Sequence, residues 1–271
     1  MKLNHKFALL LAGAVLAGSL TGCGASGTPA SSAASSEAVS SAAAAELTTV
    51  EAGKLTMATN AAFPPYEMTT DAGDFEGIDI ETAQAIADKL GLELQIDDMD
   101  FDAALLSVQQ GKADIVMAGV TVTDERKAVM DFSDSYATGI QSIIVPEGSD
   151  IASPDDLAGK KIGTQRGTTG YIYCSDDFGD ENVVAYDDGL TAVQALNNGQ
   201  VDAVVIDNAP AKEFIAANPG LVILETSYAE EDYAIGLAKG SSLEDAINSA
   251  LEELKADGTL QSIVDKYISA E

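Results

Sequence analysis

The chain has 271 residues, and its 14 Lys and Arg against 44 Asp and Glu give a formal net charge of −30. A protein this acidic repels nucleic acid and anionic lipid headgroups, which argues against both as partners. Once residues 1–22 are set aside as a signal segment, the chain has two cysteines, Cys23 and Cys174, and no histidine. This inventory excludes zinc sites of the His/Cys type and Cys-His or Ser-His-Asp catalysis.

The N-terminal segment has the pattern of a secretory signal. Two lysines precede an apolar run over residues 7–18, and the sequence LTGC follows at residues 20–23. Twelve apolar residues are too few to span a membrane. LTGC resembles the bacterial lipoprotein signal, which implies that Cys23 becomes the N-terminus and carries a lipid anchor. Residues 23–50 are predicted to be a flexible tether, because 18 of the 22 residues from 24 to 45 are Gly, Ala or Ser.

The remainder, from about residue 51, alternates predicted strands and helices. Strands separated by helices of this length favour an α/β fold with parallel sheets and helices on both faces. The pattern restarts after the helix-start signal Ser153-Pro154, which predicts two lobes. Predicted strands cover residues 54–59, 92–96, 113–118, 161–165, 201–206 and 221–224, and predicted helices cover residues 80–90, 101–110, 190–197 and 209–217.

Two segments separated by 88 residues resemble each other and then diverge. GKADIVMAGVTVTDER begins at Gly111 and GQVDAVVIDN begins at Gly199, and their alignment places Gly119 opposite Asp207. Both positions are the carboxyl ends of predicted strands. Because ligands in open α/β sheets lie beyond these ends, we expect Gly119 and Asp207 to face one ligand from two lobes.

The residues around these two strand ends predict opposite charge preferences. On one side, Thr121, Arg126 and main-chain amides near Gly119 suit an anion. In the second lobe, RGTTG at residues 166–170 directs Thr168 and Thr169 toward the same negative charge. Asp207 suits an ammonium group, so a small ligand carrying both groups, such as an α-amino acid, satisfies both walls.

Each of these residues also has a simpler interpretation. A threonine-rich turn is commonly only a turn, and Arg126 in DERK can be a solvated helix residue. Asp207 can serve only as the cap of the helix that follows it. The occurrence of all three at equivalent positions favours the ligand site.

Six motifs resemble, in order and spacing, the polar amino-acid family of extracellular solute-binding proteins, family 3, which serve ABC importers. They are ATNAAFPPYE (58–67), GIDIE (77–81), MDFDAALLSVQQGKADI (99–115), AGVTVTDERKAVMDFSDSY (118–136), DLAGKKIGTQRGTTG (156–170) and VIDNAPA (205–211). The resemblance implies a two-lobed periplasmic-binding-protein fold, each lobe a sheet flanked by helices, with two hinge crossings. The implied divisions are lobe 1 at 51–135 and 234–271, hinges at 136–140 and 229–233, and lobe 2 at 141–228.

The same resemblance implies roles for individual residues. Arg126 would bind the α-carboxylate with help from Thr121 and Thr169, while Asp207 and the Gly119 carbonyl would bind the α-ammonium. The resemblance places the following residues around the ligand side chain: Phe63 and Phe101 as walls, with Asn60, Gln165 and Tyr66 as polar contacts. From composition alone, ordinary core packing would account for the three aromatic residues.

The identity of the ligand side chain stays open at this level. Members selective for cationic side chains often carry an acid where this chain has Asn60, which argues against arginine or lysine. Glu67, Glu230 or Glu231 could supply the missing acid if one of them reaches the pocket.

The resemblance implies an extracytoplasmic receptor that delivers a polar L-amino acid to the permease of an ABC importer. It implies a monomer, held at the cell membrane only through the lipid on Cys23, with no cofactor, no metal and no enzymatic activity. Three alternatives remain: a sensor without transport, a structural surface protein, and a dehydratase-like enzyme on the same fold with Asp207 and Glu67 as proton-transfer groups.

Overall fold

The computed structural model describes residues 47–268. The predicted signal peptide, the predicted lipid anchor Cys23 and the tether up to residue 46 lie outside the described residues, as do residues 269–271. No helix within residues 47–268 is both long and apolar enough to cross a membrane.

The described residues alternate strands and helices along most of their length. The strands are β1 (Lys54–Thr59), β2 (Ala62–Phe63), β3 (Glu67–Thr69), β4 (Phe75–Glu76), β5 (Glu93–Asp98), β6 (Ile115–Val116), β7 (Met130–Phe132), β8 (Ala137–Pro146), β9 (Ile162–Gln165), β10 (Val183–Tyr186), β11 (Ala203–Asp207), β12 (Leu221–Ile223), β13 (Ala229–Tyr233) and β14 (Gly236–Ala238). The α-helices are α1 (Ile78–Leu90), α2 (Phe101–Gln109), α3 (Asp124–Lys127), α4 (Thr169–Phe178), α5 (Gly189–Asn197), α6 (Asn208–Ala217), α7 (Glu244–Ala256) and α8 (Thr259–Tyr267).

The first lobe is built on the sheet β5-β1-β6-β14-β7. Along β1, alternate side chains enter different cores because successive residues of a strand point to opposite faces. Leu55 and Met57 pack in one core with residues of α1, α7 and α8, whereas Ala58 packs in another with residues of α2. A small antiparallel sheet, β2-β3-β4, precedes α1.

The second lobe is built on the sheet β10-β9-β11-β8-β12, with β13 paired to β8. The same alternation divides β11 between two cores. Val204 and Ile206 pack with residues of α5 and α6, while Val205 packs with Cys174 of α4. The helix-start signal Ser153-Pro154 is present as a capping box, but the helix it begins is a short 3-10 helix, Pro154–Leu157.

Both sheets are mixed, whereas the sequence pattern predicts parallel sheets. β1 is parallel to β5 and β6, and β9 is parallel to β10 and β11. β14 and β8 run antiparallel to their neighbours. The physical reason is the connection: β8 and β14 do not follow a crossover helix in their own sheet, which is the connection that parallel strands need.

The two segments predicted as hinges pair with each other. β13 runs antiparallel to the first half of β8, from Ala137 opposite Tyr233 to Gln141 opposite Ala229. β13 is also tied to the first lobe, because the Val122 amide donates to the Asp232 carbonyl and Thr121 forms an isolated bridge with Tyr233. The backbone in this region is therefore a pair of hydrogen-bonded strands.

Gly77 begins α1 at a position where only glycine fits. Its φ is 132°, and a Cβ atom there would lie 2.2 Å from the Tyr66 carbonyl oxygen. We expect Gly77→Ala to lower the free energy of unfolding by about 3 kcal/mol, since both overpacking and a positive φ are unfavourable. Urea denaturation with an unchanged m value measures this loss.

Gly91→Ala is the matched control at the other end of the same helix. Gly91 has φ of 69°, but a Cβ there has no atom within 4 Å. Only the backbone term applies, so a loss of about 1 kcal/mol is expected. Equal losses for the two variants would show that the close approach of Tyr66 does not matter.

Candidate functional site

A single cavity between the lobes collects ten of the eleven residues predicted to bind the ligand. These ten come from separate parts of the chain and are brought together by strand ends and helix starts. They are Asn60, Phe63, Phe101, Gly119, Thr121, Arg126, Gln165, Thr168, Thr169 and Asp207.

Tyr66 is the predicted residue that does not line the cavity. Its ring stacks on Phe63 with centroids 5.8 Å apart and meets Tyr233 edge-on at 5.4 Å. Phe63 and Tyr233 both line the cavity. Tyr66 therefore supports the wall from behind, as a buried core aromatic residue.

Arg126 is held with its guanidinium inside the cavity wall. Its side chain is buried, Nη1 donates to the Thr121 carbonyl at 2.8 Å and Nη2 donates to the Gly167 carbonyl of the second lobe at 3.1 Å. The guanidinium also lies 5.4 Å from the centre of the Phe101 ring. Burial lowers the pKa of Arg126 from its ordinary value, but arginine stays charged in proteins. With five donors available and two used, the guanidinium can still bind an anion.

The two threonines at the start of α4 differ in what they can offer. Thr168 is the N-cap: its hydroxyl accepts from the Tyr171 amide and donates to the Gln165 carbonyl at 2.8 Å. Its hydroxyl proton is therefore not available to a ligand. The Thr169 hydroxyl lies 3.4 Å from that of Thr121, across the two lobes. The first-turn amides of Thr169 and Gly170 have no intrahelical acceptor and suit an anion.

Asp207 both caps a helix and lines the cavity. Its Oδ1 accepts from the Ala209 amide at 2.9 Å, and its Oδ2 accepts from the Ile140 amide and the Tyr233 hydroxyl at 2.8 and 2.9 Å. The side chain is buried, and burial raises the pKa of Asp207 to about 6. A carboxylate has about four acceptor positions, so it can still accept from an ammonium group.

Gly119 faces Asp207 from the first lobe. It adopts φ of 55°, and a Cβ atom would lie 2.9 Å from the Phe63 ring, so glycine is required for this close approach. Its amide donates to Asp79 Oδ2 at 3.0 Å. Its carbonyl accepts no hydrogen bond from residues 47–268 and is free for an ammonium group.

Asn60 and Gln165 meet across the cavity. The Gln165 amide donates to Asn60 Oδ1 at 2.8 Å and to the Asp187 carbonyl at 3.2 Å. Asn60 in turn donates to the Met99 carbonyl at 3.0 Å. These bonds join the two lobes directly, and a ligand side chain reaching this end would replace the contact between the two amides.

The cavity wall has six other residues, of which Glu67 was named in the sequence only as an acid that could reach the pocket and five were not named as ligand contacts: Ala118, Gln141, Val205, Ile206 and Tyr233. Val205 and Ile206 directly precede Asp207, and Ala118 directly precedes Gly119, so proximity to the strand ends could have suggested them. Gln141 and Tyr233 lie on β8 and β13, and no motif marks strands that cross between lobes.

Of the three acids considered for a cationic ligand, two lie at the site. Glu67 lines the cavity, and Glu231 is buried and accepts from the hydroxyl of Thr121 at 3.1 Å and the amide of Gln141 at 2.9 Å. Glu230 is exposed. The bond to Glu231 uses the hydroxyl proton of Thr121, which leaves that oxygen as an acceptor.

Comparison with known proteins gives consistent matches across the described residues. The chain matches the model for bacterial extracellular solute-binding proteins, family 3, over residues 55–270. It is 33% identical to the L-cystine-binding protein TcyJ of Escherichia coli (strain K12), covering 82% of this chain and 85% of that protein. It is 32% identical to the arginine-binding extracellular protein ArtP of Bacillus subtilis (strain 168), covering 80% and 87%.

A solved structure agrees with these sequence matches. The arginine-, lysine-, histidine-binding protein ArtJ of Geobacillus stearothermophilus superposes with a TM-score of 0.77 at 34% identity, covering 80% of this chain and 96% of that chain. The predicted fold class, a two-lobed α/β fold with sheets flanked by helices, is confirmed.

Proposed function

Because the chain belongs to the bacterial extracellular solute-binding proteins, family 3, we propose that it binds a free polar L-amino acid between its two lobes and delivers it to an ABC importer. The family predicted from the motifs is confirmed, and the chain is a binding protein and not an enzyme. Membership of this extracellular family also indicates that it works outside the cytoplasm.

One observation carries the proposal: Arg126 of the first lobe and Asp207 of the second lobe line the same cavity. A guanidinium and a carboxylate on opposite walls match the two charged groups of an α-amino acid. A buried ion is tolerated only when its hydrogen-bonding positions are filled, which closure around such a ligand provides.

The hydrogen bonds suggest how the ligand sits. Its carboxylate would bind Arg126 and the first-turn amides of α4. Its ammonium would bind Asp207, the Gly119 carbonyl and the hydroxyl oxygen of Thr121. Thr121 was expected to help bind the carboxylate, but it donates its proton to Glu231, so its oxygen is left to accept from the ammonium instead. Two contacts already join the lobes: Arg126 with the Gly167 carbonyl, and Thr121 with Thr169. A bound ligand would replace these contacts with its own.

Residues 136–140 and 229–233 would act as the hinges between lobe 1 (51–135 and 234–271) and lobe 2 (141–228). The pairing of β8 with β13 supports this role, since two adjacent strands can bend together while their hydrogen bonds persist. Asp207 contacts both segments, through the Ile140 amide and the Tyr233 hydroxyl. The charge of Asp207 is therefore coupled to the conformation of the crossing.

The protein would be a monomer, attached to the cell membrane through a lipid on Cys23 and a tether over residues 23–50. The relatives named above bind cystine and arginine, and the solved structure is of a protein that binds arginine, lysine and histidine. These ligands share the α-amino-acid group and differ in the side chain. The cavity has a matching arrangement, with Arg126 and Asp207 for the shared group and other residues around the side chain.

Titration calorimetry with the twenty L-amino acids and cystine tests the proposal. We expect at least one to bind with a dissociation constant on the order of micromolar, about −8 kcal/mol. The amino alcohol and the des-amino acid of the best ligand serve as controls, because each lacks one charged group and should bind far more weakly. Millimolar binding for every amino acid would contradict the proposal.

A further inference from the structure

Buried acids outnumber buried bases around the cavity. Glu67, Asp79, Asp207 and Glu231 are at most 5% exposed. Within residues 47–268, Arg126 is the basic side chain that is buried with them. Glu67 and Asp207 line the cavity, Glu231 bonds to two residues that line it, and Asp79 bonds to Gly119.

Three of these acids have buried carboxyl oxygens without a hydrogen-bond partner. Glu67 lies next to Asp79 but neither of its carboxyl oxygens has a donor, and Asp79 Oδ1 and Glu231 Oε1 are also unpaired. An unpaired buried carboxyl is costly, so natural proteins seldom keep one without a partner. Glu67 is completely buried and belongs to the wall of the cavity, where a ligand group could become its partner.

Burial is the main influence on the pKa values of three of these acids, Glu67, Asp79 and Asp207. Burial, and then the neighbouring Asp79, raise the pKa of Glu67 well above its usual value. Burial raises the pKa of Asp79 to about 6, as it does for Asp207. Four acidic side chains therefore surround one guanidinium. A neutral zwitterion leaves this excess unchanged, whereas a ligand with an additional positive charge reduces it.

The walls around the ligand side chain also suit a cation. Phe63 and Phe101 line this part of the cavity, and aromatic rings attract cations, as the Arg126 guanidinium over Phe101 already shows. At the far end, Gln165 is buried, and its amide oxygen accepts no hydrogen bond from the described residues, so it can accept from a charged donor.

We propose that the ligand is a basic L-amino acid, and that the buried acids around the cavity, Glu67 and Glu231 among them, supply its counter-charge. This inference rests on the proposed function, since it concerns the same cavity. It replaces the expectation that the absence of an acid at position 60 disfavours arginine or lysine. Acids elsewhere in the wall provide the negative charge that Asn60 does not.

Arginine and its neutral isostere citrulline test this directly, because they differ in side-chain charge but hardly in shape. We expect wild-type protein to bind arginine at least about tenfold more tightly than citrulline at pH 8, a difference of about 1.4 kcal/mol. Glu67→Gln and Glu231→Gln should each lower this ratio by about threefold or more. Glu230→Gln removes an exposed acid next to Glu231 on the same strand and should leave the ratio unchanged.

The outcomes separate this inference from the proposed function. Tight binding of glutamine, cystine or citrulline with arginine, lysine, ornithine and histidine no better would overturn the inference and leave the proposed function standing. No binding of any amino acid would overturn both. An unchanged ratio in both Gln variants would remove the two glutamates from the proposal. If a variant does not fold, the wild-type ratio still decides the ligand class.

Discussion

Replacing Arg126 with alanine is expected to weaken binding of the cognate amino acid at least about 100-fold, while the protein stays folded. The guanidinium is the buried cation of the cavity, so its loss leaves the ligand carboxylate buried beside several acids without a counter-charge. The loss of stability should be no more than about 2 kcal/mol, because the side chain makes two hydrogen bonds to main-chain carbonyls. Calorimetry measures the affinity, and urea denaturation measures the stability.

Two further variants make this result interpretable. Arg126→Lys keeps the charge but loses the planar fork, so an intermediate loss of affinity is expected. Arg166→Ala removes an exposed arginine that pairs at 3.5 Å with Asp187 and does not line the cavity. Its affinity should stay within about twofold of the wild type, since exposed pairs contribute little. Binding within tenfold of wild type in Arg126→Ala would contradict the proposed carboxylate site.

The centre of the site could be predicted from sequence because it depends on local patterns at the ends of strands. Gly119 and Asp207 follow apolar runs, and Arg126 lies in a short helix a few residues beyond Gly119. Parallel pairing of β1 with β6 and of β9 with β11 brings such ends to one edge of each sheet. The prediction that these residues share one cavity needed only this geometry.

Gln141, Glu231 and Tyr233 could not be found in the same way. They lie on β8 and β13, whose pairing depends on how the two lobes meet and not on a local period. The sequence offers Glu231 only as one of three acids that could reach the pocket, because nothing local distinguishes it from the other acids in a chain with 44 acidic residues. Only the structure shows that it is buried and bonded to Thr121.

The two interpretations of Asp207 that the sequence offered are compatible. It caps α6 through the Ala209 amide, and it also lines the cavity. The same holds for Thr168, which caps α4 while lying at the wall. A carboxylate can accept several bonds and serve both purposes, but the Thr168 hydroxyl has a single proton and donates it to the Gln165 carbonyl.

Asp207→Asn is expected to weaken ligand binding about 100-fold, because a neutral amide replaces the carboxylate that pairs with the ammonium. Asparagine is a good helix cap, so the start of α6 should be kept. Asp207→Ala should weaken binding as much and lower the free energy of unfolding by about 1 kcal/mol more than Asp207→Asn does, because alanine loses the cap to the Ala209 amide, whereas both variants remove the acceptor of the Ile140 amide. Similar stability for the two variants would contradict the capping role.

The pH dependence of binding gives an independent measure of the same carboxylate. Burial holds the pKa of Asp207 at about 6, above the ordinary 3.8, so the folded protein takes up its proton at higher pH than the unfolded chain does. In the absence of ligand, its contribution to stability therefore falls as pH rises from about 4 to about 6. The ligand ammonium favours the ionised form, so affinity should instead rise with pH through this window.

Below pH 6 the affinity of the wild-type protein is expected to fall by up to about tenfold per pH unit from Asp207 alone, and above pH 7 it should be constant. Asp79 titrates in the same range in both proteins, so the difference between wild type and Asp207→Asn isolates the contribution of Asp207. The affinity of Asp207→Asn should therefore change less steeply with pH than that of the wild type, with only the contribution of Asp79 remaining. Calorimetric titrations from pH 5 to pH 8 measure both profiles, and identical slopes would show that the ammonium does not bind at Asp207.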